Sequence, residues 1–214
     1  MKTIPLFDLQ SEPTLYSEIG DVLDREGLLC FPTPSGYKLA VSLQSPSAIT
    51  TLLQAKRRVK NAPALVLVPS ERWVDEVATS ISSDARSLMK LFWPGPVTLL
   101  FQASDALHPK VRKSLTKAKG WLGVRVPDDE VSMGIVSSYD KPILVSSANL
   151  AKKQGANSLA QVKKNFGRQV SLLIDAGDIK EGPKSTLVDM TNGKPTVVRA
   201  GAVSEDEIIG ALAG

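Results

Sequence analysis

The chain has 214 residues, 43% hydrophobic and 22% charged, which suits a globular protein with a full core and excludes a fibrous or low-complexity one. Its formal net charge of +4 is mild, its 15 glycines and 14 prolines are scattered, and no internal repeat is visible, so a single domain over residues 1–214 is expected. The opening segment MKTIPLFDLQ has no long apolar run, so neither a signal peptide nor a membrane anchor is expected.

In chain order, residues 18–25 read as a helix, with Ile19, Val22 and Leu23 at three-and-four spacing and Gly27 as the stop. Leu28 to Phe31 reads as a buried strand, in which the lone Cys30 packs in a reducing compartment, with cytoplasm as the expected location. Ser45-Pro46 opens a helix that ends near Lys56, the serine capping and the proline in the first turn. Ala64 to Val68 is the next strand and Ser83 to Phe92 the next helix, broken by Trp93-Pro94-Gly95-Pro96, where Trp93 reads as a core anchor. Val97–Phe101, Leu122–Val126, Ile143–Ser146, Leu172–Asp175, Thr186–Asp189 and Thr196–Arg199 follow as short strands. This alternation predicts an α/β sheet with helices packed against it.

Polar residues collect where the apolar strands finish. Phe31 runs into Pro32-Thr33, Val145 into Ser146-Ser147-Ala148-Asn149, and Val198 into Arg199-Ala200-Gly201. In open α/β sheets ligands bind beyond the carboxyl ends of strands, so three such ends suggest one shared pocket. Lys56 and Arg58 add two cations, and cations with small polar donors are what a polyphosphate requires. Plainer roles compete at each position. Thr33 and Ser35 suit turns, and Lys56 and Arg58 could offset a helix macrodipole for ~0.3–1 kcal/mol. Ser147 and Asn149 could be ordinary loop polars. Arg125 is harder to set aside, because it alternates with Leu122, Val124 and Val126 and so faces away from them, where a charge needs water or a partner.

Lys110, Arg112, Lys113, Lys117 and Lys119 crowd beside His108, with smaller groups at Lys152-Lys153 and Lys163-Lys164-Arg168. Such runs are most often solvated faces, and the alternative is attraction to anionic substrates or RNA phosphates.

The ordered segments Phe31-Pro32-Thr33, Tyr37, Leu39, Lys56-x-Arg58, Pro63, Trp93-Pro94-Gly95-Pro96-Val97-Thr98 and Gly123-Val124-Arg125-Val126-Pro127 carry a resemblance. With Ser147-Ala148-Asn149, Ser185-Thr186-Leu187-Val188-Asp189 and Arg199-x-Gly201, they closely resemble the YrdC-like threonylcarbamoyl-adenylate synthase family, over residues 17–207. The resemblance implies a twisted, open, mixed α/β sheet with flanking helices and a basic concave face. It further implies ATP, L-threonine and bicarbonate as substrates, with Mg²⁺ accompanying ATP. The product goes to transfer proteins that modify tRNA. The family's catalytic tetrad falls on Lys56, Arg58, Ser147 and Asn149, and its substrate and ATP contacts on Thr33, Tyr37, Thr98, Arg125, Ser185 and Arg199. No metal ligand is expected from protein side chains, and no serine–histidine pairing is visible.

The pattern departs from the family at the rim of the implied site. Tyr37-Lys38-Leu39 places a large cation where glycine is common, Pro34-Ser35-Gly36 replaces an acidic-then-hydroxyl pattern, Val59 replaces a proline, and Ala62 and Ala151 replace polar residues. These changes bear on the acyl substrate more than on the nucleotide. Two alternatives stay open: a non-catalytic paralogue that binds tRNA, double-stranded RNA or the ribosome, and a carbamoyl-phosphate-dependent adenylate chemistry.

Overall fold

The computed structural model describes residues 1–57, 64–115, 120–150 and 156–212. It is a mixed α/β fold. The first strands are β1 (Lys2–Pro5), β2 (Leu29–Phe31), β3 (Lys38–Ser42), β4 (Ala64–Leu67), β5 (Ala78–Thr79) and β6 (Val97–Ala103). They are followed by β7 (Trp121–Arg125), β8 (Ile143–Ser147), β9 (Leu172–Asp175), β10 (Thr186–Asp189) and β11 (Thr196–Arg199). The helices are α1 (Leu6–Ser11), α2 (Leu15–Asp24), α3 (Pro46–Ala55), α4 (Val74–Val77) and α5 (Ser83–Phe92). The remaining helices are α6 (Pro109–Leu115), α7 (Glu130–Tyr139), α8 (Leu159–Phe166) and α9 (Glu205–Leu212).

Helix starts follow local chemistry. Ser45 Oγ accepts from Ala48 N at 3.1 Å ahead of Pro46, and Ser82 Oγ accepts from Ala85 N at 3.2 Å. Each satisfies a backbone donor that the first helical turn leaves without a partner. Asp129 does the same for α7, accepting from Ser132 N at 3.0 Å. The basic segment after His108 is helical through Leu115; its Lys117 and Lys119, and the pair Lys152-Lys153, lie outside the described residues.

Among the described residues the strands form one sheet in the order β1-β9-β2-β3-β8-β4-β7-β6-β10-β11, with β5 on β6. Pairings are mixed: β4 runs parallel to β7 and β6 to β10, whereas β3–β8, β8–β4 and β6–β7 are antiparallel. One face carries the larger core, where Leu39, Val66, Leu99, Phe101, Val124 and Leu144 pack with side chains of α3, α5, α6, α8 and α9. The other face is covered by Ile19 and Leu23 of α2 and Val131, Ile135 and Val136 of α7, over Leu29, Phe31, Ala40, Ile143 and Val145. That second cluster contains, among the described residues, nothing from β6, β7, β10 or β11. Half of one sheet face is thus left without a helical cover, and Arg125 and Thr98 fall there by strand alternation.

Two glycines show how tightly this region is drawn. A Cβ at Gly123 would stand 2.9 Å from Thr98 Cγ2. At Gly201 it would meet backbone: 2.3 Å from Lys184 O and 2.6 Å from Thr186 N. There the chain leaving β11 crosses the chain entering β10, and Ala202 N donates to Lys184 O at 2.9 Å. Gly201→Ala is expected to lower stability by about 1–3 kcal/mol in urea unfolding, because backbone must shift. Gly210→Ala, on α9 with nothing within 4 Å of the new methyl, is expected to be stabilising by up to about 1 kcal/mol.

Candidate functional site

The uncovered part of the sheet face forms a cleft of about 1240 Å³. Thr33, Arg125, Ser147, Asn149 and Arg199 reach it from the carboxyl ends of β2, β7, β8 and β11. Lys38, Pro96 and Ser185 reach it from the amino ends of β3, β6 and β10. The cleft is therefore not a carboxyl-end crevice of the kind expected from the strand termini. In a mixed sheet neighbouring strands run oppositely, as the pairing of Lys38 with Ser147 shows, so the shared site lies on the face of the sheet.

The turn after β8 is the best-anchored wall. Ala148 is fully buried and donates its N–H to Tyr37 O at 2.8 Å, and Asn149 N donates to Ser147 O at 2.9 Å. Beneath it lies Lys56, 7% exposed, whose ammonium donates to the carbonyls of Ser147 and Asn149 and, at 3.1 Å, to Asn149 Oδ1. The ammonium also lies 6.0 Å from the centroid of the Phe166 ring on α8. Lys56 caps α3 as its position suggests, but its charge is aimed at this turn rather than offsetting the helix dipole in solvent. Arg58 lies outside the described residues.

Across the cleft, Ser185 is fixed from two sides. Thr98, 3% exposed, has its hydroxyl 2.9 Å from Ser185 Oγ, and Arg199 Nη2 donates to Ser185 O at 2.8 Å and lies 3.3 Å from its hydroxyl. Thr98 therefore stands behind Ser185 and does not line the cleft. Arg125 does line it. Its Nη2 is 3.9 Å from Asp129 Oδ2, and neither Arg125 Nε nor Asp129 Oδ2 has a hydrogen-bond partner. A guanidinium with unused donors, sunk to 14% side-chain exposure, is poised for an oxyanion.

Two further expected contacts sit differently. Tyr37 is fully buried behind the cleft; its hydroxyl donates to Gly177 O at 2.8 Å and accepts from Ala176 N at 2.9 Å, and burial pushes its pKa to about 12. It fastens the loop after β9 and presents no side-chain atom to the cleft. Thr33 lines the cleft, yet its hydroxyl donates to Gly36 O at 2.7 Å, the turn role that competed with ligand contact. Nor is the lining purely basic: Lys38, Arg125, Lys184 and Arg199 face Asp128, Asp129 and Glu181. Lys38 was not among the expected site residues. Its one visible signal is the departure from glycine between Tyr37 and Leu39.

The site thus combines a half-open face of a mixed α/β sheet, a clamped serine–asparagine turn and two arginines on the opposite wall. The chain belongs to the Sua5/YciO/YrdC family, whose model, described as "telomere recombination", matches residues 21–201. A threonylcarbamoyl-AMP synthase of Pyrococcus abyssi is 31% identical over 185 residues, which is 86% of this chain and 53% of the relative. The structure of P. abyssi Sua5 complexed with L-threonine superposes with a TM-score of 0.83 at 26% identity, covering 94% of this chain and 58% of that one. Escherichia coli YciO shares the fold, with a TM-score of 0.78 at 21% identity over 92% of this chain and 93% of that chain. The chain thus spans little more than half the length of the archaeal relative.

The clamp generates a stability test. Lys56→Met keeps much of the apolar stem but leaves the half-buried carbonyls of the turn without their charged donor, and should cost about 1.5–3 kcal/mol in chemical denaturation. Arg199→Ala, at an exposed position, should stay within about 0.5 kcal/mol of the wild type. Equal effects of the two changes would mean that the clamp contributes nothing.

Proposed function

We propose that this chain forms threonylcarbamoyl-adenylate and pyrophosphate from L-threonine, bicarbonate and ATP. The observation that carries the reading is the meeting, in one cleft, of the Lys56-clamped Ser147–Asn149 turn with Arg125, whose donors are unused. Support comes also from the P. abyssi relative named threonylcarbamoyl-AMP synthase and from the related Sua5 complexed with L-threonine.

The chemistry suits a site without a conventional nucleophile. Bicarbonate takes up a proton and loses water to give carbon dioxide, and the threonine amine adds to that carbon, giving a carbamate and releasing a proton. A carbamate oxygen then attacks the α-phosphorus of ATP, and the bond to the pyrophosphate oxygen breaks. Nucleophile and electrophile are both anionic, so the site's work is to hold them together and to stabilise the charge of the leaving group. In this reading Ser147 and Asn149 donate to the reacting groups, Lys56 holds their turn rigid from below, and Arg125 and Arg199 face the oxyanions. Arg58 and Ser185 complete the contacts, with Thr33 holding the turn beside them and Thr98 and Tyr37 supporting them from behind. Among the described residues no group of three or more His, Cys, Asp or Glu could hold a metal ion. In this reading Mg²⁺ would enter with ATP as part of the substrate, and Asp128 and Asp129 are the carboxylates on that wall.

The unstable adenylate would pass to transfer proteins that place the threonylcarbamoyl group on tRNA, in the cytoplasm. Among the described residues no helix is long and apolar enough to cross a membrane. Pyrophosphate release should require threonine and bicarbonate together with ATP. Arg125→Ala and Arg199→Ala should each reduce it by about a hundredfold or more, the cost of losing one preorganised transition-state contact. Release that proceeds without either co-substrate would sink the reading.

A further inference from the structure

Lys38 opens β3 directly opposite Ser147, and its ammonium donates to Ser147 Oγ at 3.3 Å. Of its three N–H donors this is the one with a hydrogen-bond partner shown among the described residues. The surrounding charge is unbalanced. Arg125 faces it from β7, Lys184 from the segment before β10 and Arg199 from the end of β11, while Asp129 at the start of α7 is the opposing carboxylate. Asp128 and Glu181 lie elsewhere on the lining, and Lys56 holds the Ser147 carbonyl from below. Arg125 is itself under-satisfied, its Nε without a partner and its nearest carboxylate 3.9 Å away. Two incompletely bonded cations on one wall, both withdrawn from bulk water, call for an anion between them.

We propose that Lys38 is an added oxyanion-binding residue of this cleft, which grips a carboxylate or phosphate group of the bound substrate together with Ser147 and Arg125. The bond from Lys38 occupies a lone pair of Ser147 Oγ, so the serine hydroxyl is free to donate its own proton to the same anion. Lys38 stands between Tyr37 and Leu39, where the pattern that this sequence resembles commonly has glycine. A proton linkage follows. Burial first, and then the charges of Arg125, Lys184 and Arg199, push the Lys38 ammonium down to about 8. An anion pairs with the charged form, so affinity is fullest below that value and falls as pH rises through it. The reading of the cleft as an adenylate-forming site enters only in the choice of probes.

The test is calorimetric titration of the full chain with inorganic pyrophosphate and, separately, with L-threonine, at pH 7 and pH 9.5. Wild type, Lys38→Met and Lys38→Arg are compared, so that each ligand's own titration cancels. Lys38→Met should weaken at least one probe by about tenfold or more at pH 7, as expected for a charge-assisted hydrogen bond, and the deficit should shrink to about twofold at pH 9.5. Loss for pyrophosphate alone identifies a phosphate subsite, loss for threonine alone a carboxylate subsite, and loss for both a position shared between them. Lys38→Arg should bind as wild type at pH 7 and more tightly than wild type at pH 9.5. Three results overturn the proposal: wild type binds neither probe, Lys38→Met binds both as wild type does at pH 7, or its deficit persists undiminished at pH 9.5. Proton-linked binding without threonine-dependent pyrophosphate release would leave this subsite standing and remove the catalytic reading. Release with unchanged binding by Lys38→Met would do the reverse.

Discussion

A sheet this wide has two faces to cover, and this chain covers one and a half of them. Among the described residues six helices contribute side chains to the core on one side, whereas on the other α2 and α7 extend only over the part of the sheet between β1 and β4. The strands beyond must still be apolar toward the covered face, which Leu99, Phe101 and Val124 satisfy. Their alternate positions point toward the cleft side, where Thr98 and Gly123 form a buried floor and Arg125 reaches the cleft. The cleft is a consequence of that incomplete cover, and strand alternation decides which residues it receives.

An open sheet face is a poor place to hold polar groups still, and a buried ammonium addresses this. Lys56 joins the end of α3 to a turn 91 and 93 residues further along the chain. Several neutral acceptors around one cation fix the turn without cancelling its charge, because carbonyl dipoles solvate the ammonium while leaving its field in place. Ser147 and Asn149 are thereby presented from a backbone that cannot easily relax away from a ligand. Opposite them Ser185 is braced by Thr98 and Arg199, so the two walls are preorganised while Arg125 keeps its Nε unused.

Several elements were legible in the sequence for plain reasons. Residues 172–175, 186–189 and 196–199 have the expected bounds, because short runs between clear breakers leave little choice of length, and 83–92 does because Ser82 caps the helix and Trp93-Pro94 stops it. Arg125 was legible because three apolar neighbours alternate with it. The helix at 130–139 was not read, since Val131, Ile135, Val136 and Gly134 are weak helix formers and burial on several sides blurs its periodicity. Nor was β3 read, where Leu39, Ala40, Val41 and Ser42 are all buried and no alternation survives. The depth of Lys56 could not be read locally, because its partners come from a distant strand end. Tyr37 carried a motif position without revealing that its ring points into the core. Lys38 left a trace only as a mismatch to a pattern.

The central claim is that one cleft on the open sheet face receives both nucleotide and amino acid. A crystal structure of the chain with MgATP in a non-hydrolysable form and L-threonine tests it most directly. Both ligands are expected between the Ser147–Asn149 turn and the Arg125–Arg199 wall, with phosphate or carboxylate oxygens within hydrogen-bond distance of Ser147 and Arg125. Nucleotide bound on the helix-covered face, or away from these residues, would contradict it.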